Sequence, residues 1–321
     1  MLEHVYCSID RLTMLALVEE PRKVIHKIRQ YLEKNLDKYK NIAINDFQDM
    51  AFGVAWYEPN EAKDGFREEN LVFLHLFEHA GKTDLRIDFN PNSLKKRGSE
   101  QVWSDIRYVL SVFKADLRLS RFDLAFDIFN APEIAEMRNL KGGITRKEFY
   151  GRSGALETVY WGSQASSVQI RLYNKLVELG GNMSSYDYRR ISETNSYGAY
   201  VVQIRDFWRL ELQLRTKVID ENMVSECLKR LDDFSFDSAY ALNLEPKLQR
   251  FADMMMNEPE KIKLAYRDVN ERTVRRWKTK VRKAVAEVHD DYVCSIKKAL
   301  QRDSAMLQEE LQAYTKQYLG F

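Results

Sequence analysis

Apolar and polar residues alternate strictly along several short stretches, and each such stretch predicts a strand with one face on a core. The clearest is Arg121–Phe129, RFDLAFDIF. Phe122, Leu124, Phe126 and Ile128 share its inner face, and Arg121, Asp123, Ala125 and Asp127 share the outer one. Leu85–Phe89, LRIDF, repeats the pattern with Leu85, Ile87 and Phe89 inward. Phe207–Arg215, FWRLELQLR, turns Leu210, Leu212 and Leu214 in and Arg209, Glu211, Gln213 and Arg215 out. The second half of Thr158–Glu178 turns Ile170 and Leu172 in and Arg171, Tyr173 and Lys175 out, onto an exposed face. Cys7–Val18, Phe52–Tyr57 and Leu71–Phe77 predict further strands, the last two separated by the polar, turn-rich Glu58–Asn70.

Helical spacing appears between and after these strands. Pro21 opens one helix, with Val24, Ile25, Ile28, Tyr31 and Leu32 along one side. Asn90-Pro91-Asn92-Ser93 ends a strand, and Glu100–Lys114 follows as a helix burying Val102, Ile106, Val109, Leu110 and Phe113. Gly180–Tyr200, rich in Gly, Asn, Ser and Tyr, reads as a mobile loop. After Gly198 the only glycine is Gly320. Glycine is costly inside helices, so its absence predicts helices at Glu221–Leu231, Leu248–Met256 and from about Asn270 to Tyr318. The expected class is α+β: a large, mainly antiparallel sheet with flanking helices over residues 1–220, then a helical region over 221–321.

Composition narrows the class without naming a function. The 321 residues are 45% hydrophobic and 31% charged, which suits a soluble protein with a sizeable core. No apolar run reaches membrane-spanning length, and MLEHVYCSID lacks a signal-peptide pattern. Cys7, Cys227 and Cys294 are too far apart for a metal motif and fit a reducing cytoplasm. Net charge is only +2, so a nucleic-acid partner has to be sought in local clusters.

One such cluster is Arg272–Lys283, RTVRRWKTKVRK, with seven cations and no acid. On a helix, Arg272, Arg275, Arg276, Arg282 and Lys283 gather on one side, with Lys278 in the same run. Val274, Trp277, Val281, Ala284 and Val288 form an apolar stripe opposite. A helix docked by one face and basic on the other suits phosphate binding. The bland alternative is a solvated helix balanced by Glu287, Asp290 and Asp291.

The outer faces of three strands hold the other candidate chemistry. Asp123 and Asp127 lie about 13 Å apart along a flat strand, so together they need a partner strand to form one site. A salt-bridged surface is the competing account, though aspartate is depleted in strands. If the strands are neighbours, Asp123, Asp127 and Glu211 offer carboxylates to a divalent cation, Tyr173 offers a nucleophile, and Arg171, Lys175 and Arg209 offer charge to a phosphodiester. Tyrosine is almost wholly neutral near pH 7, and nearby cations would favour the phenolate. His75 and His79 stand four apart, but in a β-rich stretch without a carboxylate they read as ordinary strand-end residues. The R-x-D pattern of Arg86–Asp88 recurs at Arg121–Asp123, an echo too short to establish a duplicated β unit.

LRIDFNPNSL, SRFDLAFDIF, ETVYWGSQASSVQIRLYNKLVE and WRLELQLR, in this order over about residues 5–220, resemble the pT181-type replication-initiation family of rolling-circle plasmids. Conjugative relaxases of the same superfamily share the pattern. The resemblance implies a metal-dependent, site-specific nickase and strand transferase. Tyr173 would attack a phosphodiester at the double-strand origin, forming a 5′-phosphotyrosine and freeing a 3′ hydroxyl as primer. Asp127 and Glu211 would hold Mg2+ or Mn2+, with Asp123 third, and Lys175, Arg171 and Arg209 would contact phosphate. The family also implies a homodimer, a host helicase as partner, and origin recognition by the C-terminal region, here Arg272, Arg275, Arg276, Lys278, Arg282 and Lys283. Some members carry an acid after the tyrosine, where this chain has Asn174. The alternatives are a relaxase with the same chemistry, favoured by a helix-turn-helix leader that the sequence does not show, and a DNA-binding regulator without catalysis.

Overall fold

The computed structural model describes residues 5–18, 21–34, 42–47, 51–60, 67–79, 82–92, 100–113, 116–139, 144–180, 206–215, 223–235, 244–287 and 291–314. Period-two stretches become strands and period-3.6 stretches become helices, largely where the side-chain pattern places them. The order is β1 (Val5–Val18), α1 (Pro21–Lys34), β2 (Ile42–Phe47), β3 (Ala51–Asn60), β4 (Arg67–His79), β5 (Lys82–Phe89), α2 (Glu100–Phe113), β6 (Asp116–Phe129), β7 (Arg138–Asn139), β8 (Arg146–Tyr150), β9 (Leu156–Trp161), β10 (Val168–Asn174), α3 (Lys175–Glu178) and β11 (Phe207–Leu214). There follow α4 (Met223–Leu231), β12 (Phe234–Ser235), α5 (Pro246–Asn257), α6 (Ile262–Ala265), α7 (Glu271–Glu287) and α8 (Asp291–Gln312).

Ten strands are hydrogen-bonded in the order β2-β3-β4-β5-β1-β6-β11-β10-β9-β8, and β7 pairs with β12. The β1–β5, β2–β3, β3–β4, β4–β5, β8–β9 and β9–β10 pairs are antiparallel. The expected α+β class, a large and mainly antiparallel sheet with flanking helices, is therefore what the chain adopts. Among the described residues no helix is long and apolar enough to cross a membrane.

The chain forms two compact units. The first is Met1–Cys7, Ala125–Gln213 and Glu221–Ser304; the second is Ser8–Leu124, Leu214–Asp220 and Ala305–Phe321. Each unit draws residues from both sides of residue 220, so the compact units do not follow the order of the chain. The 1–220 and 221–321 division remains one of expected roles.

In the second unit, β4 and β5 bury Val72, Leu74, Leu76, Leu85 and Ile87, and α1 and α2 bury Ile28, Leu32, Trp103, Ile106 and Val109. Trp103 meets Phe89 edge-on at 5.2 Å, and Tyr314 packs on both rings. Each such buried side chain contributes about 1.5–3 kcal/mol. The β3–β4 hairpin is longer than the sequence pattern implies. Tyr57–Asn60 pair with Asn70–Arg67, after a register shift at Trp56/Tyr57. Ladder bonds need only backbone groups, so the polar run expected as a turn extends the strands. The expected loop at 181–200 lies outside the described residues.

On the polar side of this unit, Asp88 receives a fork from Arg11 at 2.6 and 2.7 Å and a bond from Arg86 at 2.5 Å. Burial alone would raise its pKa, but the Arg11 fork and charge, with Arg86, outweigh burial and hold it below the usual 3.8. A lowered folded-state pKa gives stability that is complete above the unfolded value and is lost as pH falls through the folded one. Arg11→Met should therefore destabilise the protein clearly near pH 7, and less once pH falls below the usual 3.8, as at about pH 3. Urea unfolding of wild type and variant at the two values checks this.

Two apolar clusters organise the first unit. Tyr6, Phe129 and Phe207 pack with Leu176 and Leu179, the Phe129 and Phe207 rings stacking at 4.5 Å. Phe251, Ala252, Met255, Ile262 and Val281 form the other, joined by Val274, Trp277 and Ala284.

Candidate active site

The site is set by the β9–β10 hairpin. Gly162 takes φ +90° at its turn, where a Cβ would sit 2.7 Å from the Val168 carbonyl oxygen. Any side chain would strain this turn. The hairpin then pairs Ile170 with Trp161, Arg171 with Tyr160, and Tyr173 with Thr158. Alternation puts Arg171 and Tyr173 on one face, beside β11.

That face is buried, contrary to the expectation of an exposed one. Tyr173 is 4% exposed, and every residue of β11 is buried, Arg209, Glu211 and Gln213 included. The physical reason is mutual neutralisation. Arg171 forks Glu211, with Nε 3.1 Å from Oε2 and Nη2 2.9 Å from Oε1. Its guanidinium also lies 3.9 Å from the Tyr173 ring centroid, in cation–π geometry. Beneath it the Tyr173 hydroxyl donates to Glu211 Oε1 at 2.7 Å. Arg209 donates to both Asp127 oxygens, at 2.5 and 3.0 Å. Buried charges require such pairing.

Burial pushes the Tyr173 phenol well above its ordinary pKa. Arg209 and Arg171 pull it down and Glu211 pushes it up, and burial prevails. The expectation that nearby cations favour phenolate is thus reversed: in this arrangement Tyr173 is a neutral phenol with a carboxylate already accepting its proton's hydrogen bond. The same carboxylate stabilises the Arg171 cation against its own desolvation.

Lys175 does not extend the strand. β10 stops at Asn174, whose side chain accepts from the Val177 amide at 3.1 Å and caps α3. Lys175 opens that helix, pairs with Glu178, and holds its ammonium 5.4 Å from the Tyr173 ring centroid. Asn174, weighed as an oxygen donor to a metal, has its oxygen engaged as a helix cap. An Asn directly before a short helical run is a capping signal legible in sequence.

The three carboxylates expected to share a cation are each engaged by an arginine. Glu211 is forked by Arg171, Asp127 by Arg209, and Asp123, in the second unit, by Arg121. Among the described residues no three His, Cys, Asp or Glu side chains are arranged to hold a metal. As arranged, this donor set does not fit Mg2+ or Mn2+: a cation would first have to displace guanidinium groups from both oxygens of its ligands.

The basic helix is present as α7. Val281 is buried in the Phe251 cluster, with Val274, Trp277 and Ala284 against it, and Trp277 meets Phe251 and Tyr266 edge-on. Arg272, Arg275, Arg276, Arg282 and Lys283 are exposed and Lys278 is half-buried. Glu271, 3.4 Å from Arg275, offsets part of this face. Val288 and Asp290 lie outside the described residues.

No family model matches the chain. A replication initiation protein of Staphylococcus aureus is 25% identical over 239 residues, 74% of this chain and 66% of the relative. Another from the same organism is 29% identical over 140 residues, 43% of this chain and 38% of that one. The chain thus matches less than two thirds of the length of either relative. A solved structure of a rolling circle replication initiator protein from Geobacillus stearothermophilus aligns with 78% of this chain and 97% of its own, at 16% identity and a TM-score of 0.38. The resemblance carried by four short blocks thus widens to a similarity to replication initiation proteins over about three quarters of the chain.

Proposed function

We propose that this protein initiates rolling-circle replication by nicking one DNA strand with Tyr173. The observation that carries the reading is the 2.7 Å hydrogen bond from the Tyr173 hydroxyl to Glu211 beneath the Arg171 guanidinium. The relationship to replication initiation proteins supports it. A scissile phosphate is itself an anion and competes with Glu211 for Arg171. Once Arg171 turns to the phosphate, Glu211 is left as the proton acceptor and the phenol oxygen is free to attack. A bond forms from Tyr173 Oη to phosphorus, and the P–O3′ bond breaks. The phenolic proton passes to Glu211, and O3′ leaves as a hydroxyl after taking a proton from water. The products are a 5′-phosphotyrosine and a 3′-OH primer. Arg209, held by Asp127, and Lys175 add positive charge around the phosphate.

Supercoiled DNA carrying a candidate origin, with Mg2+, with Mn2+ and without either, tests the reading. The expected product is nicked circles with protein on the 5′ end, and absence of nicking under all three conditions overturns it. The arm without cation asks directly whether the arginine-engaged carboxylates need a metal. The same assay, with a helicase added and the protein sized alone, tests the host-helicase and homodimer expectations.

In this reading α7 contacts the origin duplex. Arg275→Ala with Arg276→Ala should weaken binding and lower the slope of log affinity against log salt by about 0.9 for each phosphate no longer neutralised. A salt series by filter binding checks it, and an unchanged slope removes α7 from the interface.

A further inference from the structure

We propose that the second unit carries a platform for single-stranded DNA, on the sheet face where Phe73, His75 and Phe77 of β4 adjoin Arg86 of β5 and Arg11 of β1. The proposal rests on the reading of the chain as a DNA-processing protein.

Register builds the platform. Phe73 pairs with Asp88, His75 with Arg86 and Phe77 with Asp84. Across the next boundary Thr13 pairs with Asp88 and Leu15 with Arg86, which puts Arg11 on the same face. Alternate residues of β4 therefore show rings to this side, while Val72, Leu74 and Leu76 are fully buried on the other. The rings form a ladder: Phe73 and His75 stack at 5.5 Å and 26°, His75 and Phe77 at 6.1 Å and 14°. All three are half-buried. Burial and the neighbouring Arg86 lower the His75 pKa, so its ring is neutral and suited to stacking.

A cationic border flanks the ladder. Arg11 is 43% and Arg86 38% exposed, both anchored on the buried Asp88. Arg121, anchored on Asp123, repeats the R-x-D ion pair of Arg86, so the echo in the sequence is a repeated way of fixing an arginine on a strand. Arg215 stands close enough to Arg121 and Arg86 for their charge, with burial, to lower its pKa. By alternation Lys82 and Asp84 of β5 share this side, so Arg11, Lys82, Arg86, Arg121 and Arg215 stand against Asp10, Asp84, Asp88 and Asp123, an excess of one positive charge that an incoming anion would relieve. Two buried polar atoms on this face, Arg86 Nε and Thr13 Oγ1, have no hydrogen-bond partner. Stacked rings beside fixed cations match a single strand, whose bases stack on aromatics while its phosphates meet positive charge. An acidic polypeptide would use the arginines and have no use for the ladder.

The test measures binding of a fluorescent oligothymidine to full-length protein by anisotropy over a salt series. Phe73→Ala with His75→Ala should weaken binding about tenfold or more, because each base–aromatic stack is a large contribution. Arg86→Gln leaves Asp88 its fork from Arg11; it should weaken binding and lower the salt slope by about 0.7, the value for one single-strand phosphate. Folding is followed by thermal melting, and should the double aromatic variant fail to fold, Phe73→Leu replaces it. Wild-type binding that all variants retain overturns the platform alone. Failure of wild type to bind any oligonucleotide, with nicking also absent, overturns the reading it rests on as well. Tight binding of polyglutamate that Arg86→Gln weakens, with oligothymidine binding unaffected by the aromatic changes, assigns the face to an acidic protein and overturns the proposal.

Discussion

Tyr173→Phe is expected to abolish origin nicking, by about 10⁴-fold or more, and to remove the covalent 5′ adduct entirely, because loss of a nucleophile is not compensated by the groups around it. Phenylalanine keeps the ring beneath Arg171, so DNA affinity and melting temperature should change little. Glu211→Gln separates the roles of the pair. It keeps an oxygen for the Tyr173 hydroxyl but cannot take its proton, and should cost about 10²–10⁴ in rate. The pH profile follows from the raised phenol pKa. No phenolate accumulates between about pH 6 and 9, so no rise in rate should titrate with free tyrosine there, and no tyrosinate absorbance should develop for Tyr173. Nicking that survives in Tyr173→Phe would transfer the nucleophile to another tyrosine, with Tyr160, Tyr186 and Tyr188 the first to replace. A phenolate signal near neutrality would contradict the burial argument.

The largest stability effect is expected at the Asp127–Arg209 pair. Both side chains are less than 10% exposed, and both carboxylate oxygens accept from the guanidinium. Arg209→Ala strips a buried carboxylate of its fork, which typically costs about 3–5 kcal/mol. For a unit of this size that corresponds to a fall in melting temperature of roughly 6–20 °C. Replacing both partners together, Asp127→Leu with Arg209→Met, should recover much of the loss, since two buried charges and their desolvation leave at once. Circular-dichroism melts of the single and double variants decide it. A single variant that melts with wild type would mean that the pair is as well solvated apart as together.

The strands were legible because each has one apolar face. LRIDF and FWRLELQLR predict their strands to within a few residues and RFDLAFDIF the latter part of β6, and the glycine-free C-terminal stretch is, among the described residues, mainly helical. β8 was not legible: its Lys147–Tyr150 side chains are exposed, so no core face imposes alternation. The polar outer faces are unusual, as their composition implies, but they are not open. Alternation tells which side a residue takes, and says nothing of what covers that side. Arg171 neutralises Glu211 and Arg209 neutralises Asp127, and a guanidinium fork closing on a carboxylate from a neighbouring strand depends on register, which a linear pattern does not carry. Glu211 and Asp127 are of the type a divalent cation takes, but their pairing with Arg171 and Arg209 is likewise a matter of register. The helix start at Asn174 is the opposite case, since capping is a local matter and an Asn ahead of Lys175–Glu178 carries its signal in the chain itself.

Tyr173 stands one residue before the chain leaves a strand and enters a helix. On the upstream side its main chain is fixed by the ladder to Thr158; on the downstream side Leu176 and Leu179 are wedged among Tyr6, Phe129 and Phe207. A nucleic-acid end tethered to this phenol would hang from an anchored post. The tyrosine's two side-chain torsions and the bonds of the phosphate ester would be its swivel, so the severed terminus would stay close to where it was cut, ready for the reverse joining reaction.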